Sequence, residues 1–399
     1  MVPAIRKAFN QQFTKDTYQA YLKELDNKHP GALEFRVAET PIFIDKKFKH
    51  KILEACESIV DTITNKDFIA QSNLAIPENV KVLNENEHAH FIAFDFGICE
   101  NENGELEPQL IEMQGFPTLF AYQILQDEVT RHHFDIPENY STYLHGYDSV
   151  SYTKLLKEII LGNHDPEHVI LLEILPYQQK TKIDFYCTAD YVGIPIVCLT
   201  DLIQKGKDLF YEKDGKEIAI KRIYNRIIFD DLQQQNSDIQ EKGKLLLEDL
   251  DVEWVPHPNW FYRISKYTLP FIDHPYVPYT KFLIDLKELP KDLENYVLKP
   301  LFSFAGQGVV IDLTLNDIEN IKDPHNWILQ RKVKYADAII TPDIPAKAEI
   351  RIFYFWKDGE ARPFATNNLA RLSKGKMIGV RYNKDKEWVG GSLCYFEKD

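Results

Sequence analysis

The stretch VLKPLFSFAGQGVVID, residues 297–312, decides how the chain is read. Val297, Leu298 and Leu301 are apolar, as are Val309, Val310 and Ile311, so two short strands flank a loop carrying Gly306 and Gly308. The commoner glycine loops continue differently. A dinucleotide fingerprint needs strand, loop, helix and a third glycine, and the G-x-x-x-x-G-K-[ST] pattern is absent from the chain. A glycine loop between two strands is another device. Its backbone amides can fold over phosphates, because glycine lets the chain approach without a side chain. A plain β-hairpin is the alternative that this segment alone leaves open. Lys299 adds weight, since lysine inside an apolar strand is seldom left unpaired, and its ammonium could neutralise a phosphate.

Working outward, 399 residues suit two or three compact units. The hydrophobic share of 44% and charged share of 27% are those of a soluble globular protein. No segment holds the roughly 20 apolar residues that span a bilayer, and the start MVPAIRKAFNQQF has no apolar run of a secretory signal. Five scattered cysteines without a C-x-x-C argue against a disulfide framework or zinc knuckle and for a reducing, cytoplasmic setting. A net charge of −14 repels a nucleic-acid backbone, so neither nucleic acid nor membrane is an expected partner. Residues 297–399 run the other way, with sixteen Lys and Arg against thirteen Asp and Glu. That local excess suits an anionic ligand, although surface scatter explains it equally well. Oligomeric state leaves no trace in the sequence.

Residues 48–64 predict a helix, with Ile52, Leu53, Cys56, Ile59 and Val60 at helical spacing; a shorter helix is expected near 17–25. Strands are expected at 90–98 and 109–116, then a helix at 118–126. From about 151 the pattern alternates: helix 152–161, a nearly continuous apolar run at 168–175, a helix beginning between 177 and 182, and a second buried strand at 194–199. This order predicts a small doubly wound parallel sheet. A single strand is expected within 218–229 and a helix within 232–250. The sequence WVPHPNW marks a boundary near 255–258. Beyond it the reading is a helix near 279–286 and strands at 296–301, 308–313, 326–333, 348–356 and 361–366.

A second group of residues bears on chemistry. Period-2 geometry places Glu112 and Gln114 on one face of their strand and Ile111 and Met113 on the other, with Asp95 in the neighbouring strand between Phe94 and Phe96. Carboxylates on adjoining strands suit Mg2+, a hard ion that takes oxygen ligands. Polar residues on an open sheet face are the competing explanation. His88 and His90 would face away from Asp95 in a regular strand and read as edge or surface residues. Neither G-x-S-x-G nor H-E-x-x-H occurs, so nothing points to a serine hydrolase or zincin.

Taken together these residues resemble the ATP-grasp superfamily, in the circularly permuted branch that includes glutathionylspermidine synthetase. In the usual order the lysines and glycine flap precede the Asp…Glu-x-Asn strand pair. Here Asp95…Glu112-Met113-Gln114 precedes Lys299, Gly306 and Gly308. LIEMQGFPTLFAYQ is similar to the permuted family's metal-ligand strand, and Lys266 and Lys299 match its two nucleotide lysines. Residues 328–331 resemble the hinge that reads adenine, and Arg351 stands where the family often has a phosphate-binding arginine. The resemblance implies an α/β (α+β) fold: a permuted ATP-grasp core with its metal strands in 1–150, a small Rossmann-like pre-ATP-grasp domain in 151–255, and the lid and remaining core in 256–399. Gln114 replaces the family's Asn. Ala93 replaces an arginine, a role that would pass to Arg351 or Arg371. No cysteine-peptidase or amidase domain accompanies the core.

By this resemblance the cofactors are ATP and Mg2+, and the activity is that of a ligase joining a small-molecule or peptide carboxylate to an amine through an acyl phosphate. Lys266, Lys299, Ser303, Gly306, Gln307, Gly308, Gln330 and Arg331 would hold ATP. Asp95, Glu112 and Gln114 would hold the metal, and Arg351 and Arg371 would act in catalysis. Arg222, Asn225, Arg226 and Asn368 are candidate acceptor-binding residues; pairing of the arginines with Asp230, Asp231 or solvent is the even alternative. Two other functions stay open: a nucleotide-binding regulatory or scaffold protein without turnover, for which Gln114 and Ala93 speak, and an ATP-dependent phosphotransferase.

Overall fold

The structure is a computed structural model that describes residues 2–302, 308–375, 378, 383 and 385–399. Its central sheet draws on both ends of the sequence. The run FIAFDFGICE forms β2 (Phe91–Glu100), because phenylalanine, isoleucine and cysteine on either face of a pleated strand can be buried on both sides. It pairs antiparallel with β3 (Leu106–Gln114) on one side and with β15 (Lys347–Phe355) on the other. β16 (Phe364–Ser373) and β17 (Gly390–Ser392) complete the order β17-β16-β15-β2-β3. One face of this sheet carries Ile92, Phe94, Ile350 and Ile352 and packs with Ile52, Cys56 and Ile59 of helix Lys46–Ile63. The other face is apolar at Phe91, Ala93, Phe353 and Phe355, then turns polar at Asp95.

A second sheet is wholly parallel. β5 (Val169–Glu173), β6 (Ile196–Cys198), β10 (Arg222–Asn225) and β11 (Glu253–Val255) lie in the order β11-β10-β5-β6. Val169, Leu171 and Tyr224 face helices Ser149–Leu161 and Lys182–Val192, while Ile170, Leu172 and Ile223 face the helical segment after β10. Both faces are therefore covered, as the apolar run at 168–175 predicted. The chain leaves β5 for β6 on one side and later for β10 on the other, so the winding reverses between β5 and β10. Open α/β sheets bind ligands at the carboxyl ends of strands beside such a reversal.

Three small sheets surround these two. β12 (Thr280–Phe282), β14 (Trp327–Arg331) and β13 (Tyr296–Pro300) form an antiparallel trio, and Leu298 makes a further bridge to Val310. β7 (Ile203–Lys205), β8 (Asp208–Lys213) and β9 (Lys216–Ile220) form a meander. β18 (Cys394–Glu397) lies between β1 (Ile42–Ile44) and β4 (Tyr140–Ser141).

Several elements differ from expectation. The helix expected near 279–286 is β12 followed by the 3-10 turn Leu283–Asp285, because Thr280 pairs with Gln330 and that tertiary pairing overrides local propensity. The single strand within 218–229 is two, β9 and β10, which belong to different sheets. Residues 118–121 precede rather than begin the helix Tyr122–His133. The helix within 232–250 is broken into Phe229–Gln233, Ser237–Gly243 and the 3-10 turn Lys244–Leu247.

Candidate functional site

Register brings the polar residues of the central sheet together. Asp95 lies opposite both Glu112 and Arg351, and Glu349 lies opposite Arg371. Directly opposed residues share a face, so five charged side chains converge where that face leaves the core. Arg351 grips Asp95 with both prongs of its guanidinium, Nε to Oδ1 at 2.5 Å and Nη2 to Oδ2 at 2.6 Å. Arg371 Nη2 donates to the same Oδ2 at 2.7 Å and to Glu349 Oε2 at 2.7 Å. Tyr335 donates its hydroxyl to the other oxygen of Glu349. Burial opposes the charge on Asp95, but the guanidiniums of Arg351 and Arg371 outweigh it and hold the carboxyl below its ordinary value. Glu349 is pushed up by burial in spite of Arg371.

A bulge in β3 sets the next contact. The ladder passes from Asp95–Glu112 to Phe96–Leu110 and leaves Ile111 unpaired. The freed carbonyl of Ile111 accepts from Lys299 Nζ at 3.1 Å, and Gln330 Oε1 accepts from the same ammonium at 2.6 Å. Gln330 is held in turn, its Nε2 donating to Thr280 Oγ1 at 3.1 Å. The bulge also corrects the period-2 reading: Ile111 turns toward Gly97 on the Asp95 face, and only Met113 keeps the opposite face. Burial lowers Lys299 to about 8, against the pull of Glu112. Lys266 is lowered for the same reason, with Glu112 and Asp230 opposing. Both ammoniums thus sit within electrostatic reach of Glu112, a half-exposed carboxylate 3.9 Å from Arg351 Nη2.

Other expected residues fall as follows. Gln114 lies beside Ala93 and donates through Nε2 to Phe116 O at 3.1 Å. Gly308 has φ +73, and a Cβ there would stand 3.2 Å from Pro300, so the end of the glycine loop needs a residue without a side chain. The bridge between Leu298 and Val310 frames that loop; Ser303, Gly306 and Gln307 lie outside the described residues. Arg331 is exposed at the end of β14.

Three of the four acceptor candidates are engaged in contacts that hold the fold. Arg222 sits at the amino end of β10, away from the carboxyl-end crevice, where its guanidinium donates to Ile159 O, Ile160 O and Glu253. It satisfies the last carbonyls of helix Ser149–Leu161. Asn225 closes a local turn onto Ile227. Asn368 lies on the face of β16 opposite Arg371 and ties Thr142 to Cys394. Arg226 alone reaches the crevice. It follows β10, donates to Thr118 O at 2.9 Å and lies over the rings of Phe116 and Phe185. Thr118 Oγ1 accepts from Arg351 Nη1 at 3.2 Å, so one residue joins the switch point of the parallel sheet to the charged face of the central one. Glu173 ends β5 at the same crevice, where burial pushes its carboxyl up to about 8 against the pull of Arg226. Glu349, Thr118, Tyr335 and Glu173 were not picked from sequence. Glu349 had a usable signal, since Glu349 and Arg351 are polar at period 2 inside an apolar strand.

No family model matches the sequence, and no curated protein matches it. Among solved structures, the chain is similar to a glutathione synthetase like-effector (GSS30) from Globodera pallida in its apoform, with a TM-score of 0.58 over 98% of each chain. The chain has a glutathione synthetase-like fold. Identity is 10%, so the likeness concerns the course of the backbone and leaves the chemistry to the residues described above. This fold is consistent with the ATP-grasp architecture to which Lys266, Lys299 and the Asp95–Glu112 strand pair pointed.

Proposed function

We propose that the chain is an ATP- and Mg2+-dependent ligase that joins a carboxylate to an amine. The observation that carries this reading is the approach of Lys266 and Lys299, from outside the central sheet, to within electrostatic reach of Glu112, which shares a sheet face with Arg351 and Arg371. In the first step a carboxylate oxygen attacks the γ-phosphorus of ATP, the bond to the β-phosphate oxygen breaks, and ADP leaves. The amine then attacks the acyl phosphate, inorganic phosphate departs, and the nitrogen gives up a proton to phosphate or water. Lys299 has three N–H donors, two of them spent on Gln330 and Ile111, which leaves one for a phosphate oxygen. Arg351 and Arg371 stand ready to stabilise charge on the transferred group, and they need no reorganisation because Asp95 and Glu349 already orient them.

The donor set fits Mg2+ in part. Glu112 is half-exposed and Gln114 adds an amide oxygen two residues on, enough for an ion that keeps several waters. Asp95 fits less well, since both of its oxygens are engaged by guanidinium groups. In this reading Glu112 and Gln114 hold the ion and Asp95 positions the arginines. Held there, Mg2+ would supply neutralisation of the phosphate charge.

The occupied state of Asp95 also favours a second reading, a nucleotide-binding scaffold without turnover. ADP and phosphate release measured across pools of carboxylates and amines separates the two. Stoichiometric phosphate in the presence of one carboxylate–amine pair is the ligase result. Binding of ATP with no stimulation by any pool is the scaffold result and overturns the proposal.

A further inference from the structure

Helix Lys15–Asn27 lies against helix Tyr122–His133, outside the site just described. Tyr21 fixes their register: its hydroxyl accepts from Gln126 Nε2 and Thr130 Oγ1, each at 3.3 Å. Three residues beyond Tyr21 and Thr130, on the same helix faces, stand Glu24 and His133. There Glu24 Oε2 meets His133 Nε2 at 2.8 Å and His132 Nδ1 at 2.9 Å. Among the described residues this trio brings three ligand atoms within 4.8 Å of one another. The setting favours a cation. His132 and His133 lie in the last turn of their helix, where unpaired carbonyls carry negative partial charge. The neighbouring Arg131 is turned away, donating to Asp127 Oδ1 and Tyr140 O.

We propose that Glu24, His132 and His133 form a site for a borderline divalent transition ion, zinc foremost, that staples the first part of the chain to the helix following the Asp95–Glu112 strands. Two imidazole nitrogens and one carboxylate oxygen are the donors zinc prefers over magnesium. Ligands bonded to tetrahedral zinc at about 2.0–2.2 Å stand roughly 3.4 Å apart, so the trio opens by about half an ångström on binding. The His132 ring, 69% exposed, can swing by that much and leaves the fourth position to water. The other paired histidines are poorer candidates: His88 and His90 share one oxygen of Asp358, while Arg222 stands 3.8 Å from its second oxygen and repels a cation.

The test is zinc titration of the metal-free full-length protein by calorimetry in excess Mg2+, with thermal melting beside it. The expected result is one zinc per chain and a rise in Tm. Glu24→Gln, close in shape and half-exposed, and His132→Ala, an exposed ring, should each weaken zinc binding by more than about tenfold, the lower end of what even outer-sphere partners contribute. Both should melt like the wild type without metal. Cobalt substitution should give the absorption bands of a tetrahedral site, lost in both variants. Absence of zinc binding in the wild type, or binding unchanged in either variant, overturns the site.

Discussion

At the scale of single residues, Asp95 and Glu112 look alike in sequence and differ in the structure. Asp95→Asn removes a buried charge that holds two part-buried guanidiniums, so it should cost ~3 kcal/mol, read as a shift in the urea midpoint. Glu112→Gln breaks no close ion pair and should change stability by less than ~0.5 kcal/mol. On the proposed function it should nevertheless lower ADP release by about 100-fold or more. Equal stability losses in the two variants would show that Asp95 does not position the arginines. Lys299 supplies a pH signature. Its pKa is depressed by burial to about 8, so above pH 8 the ammonium is lost and nucleotide affinity should fall, well before an ordinary lysine titrates. Lys299→Arg should remove that fall. The sign for stability is opposite. The unfolded chain holds the proton more tightly, so this group's contribution rises between pH 8 and about 10.5 and is lost as pH falls through 8. That Asp95 and Glu112 lie in neighbouring strands was legible from two strand-like runs joined by the turn at 101–104, though their direct opposition is a matter of register. Arg351's grip on Asp95 was not legible, since the two are far apart in sequence and only the register of β2 with β15 joins them.

At the scale of elements, the β3 bulge decides where the site opens. It points Ile111 at Gly97, where an added Cβ would stand 2.7 Å from the Tyr335 ring and 3.2 Å from Ile111. Gly97→Ala should therefore cost ~1–3 kcal/mol through overpacking, measured by denaturant titration, and should disturb the Tyr335–Glu349 contact. A change below about 0.3 kcal/mol would mean the Tyr335 ring yields freely. Of the parallel sheet, β5 and β6 were readable from sequence as short apolar runs, whereas the same pattern merges β10 with β9 and sets β11 within the boundary at 255–258. β12 was not readable, because TKF takes its strand geometry from pairing with β14, and no local pattern records that. The bulge escaped for a related reason: a one-residue slip in the ladder is a property of two strands together. Arg222 and Arg226 were candidates alike, and the structure sets them at opposite ends of β10. Four positions along β10 separate the ligand-facing end of the sheet from its structural end, and residue type alone cannot tell them apart.

At the scale of the whole molecule, residues near both ends of the sequence share sheets. Cys394, Tyr395 and Phe396 of β18 are buried between β1 and β4. A chain ending at Leu393 should lose cooperative unfolding and become sensitive to protease across its first fifty residues; a truncated chain with a wild-type melting curve would contradict this. Residues far apart in sequence also meet in the central sheet, through the pairing of β2 with β15. That pairing also sets a schedule for synthesis. β2 and β3 leave the ribosome more than two hundred residues ahead of β15, their partner in the sheet. At roughly 5–20 residues per second that is on the order of 10–50 s during which an apolar strand edge waits uncovered. A nascent chain of this design depends on chaperone cover for its first third, and slow codons placed between residues 114 and 347 would lengthen the exposure rather than help the chain fold.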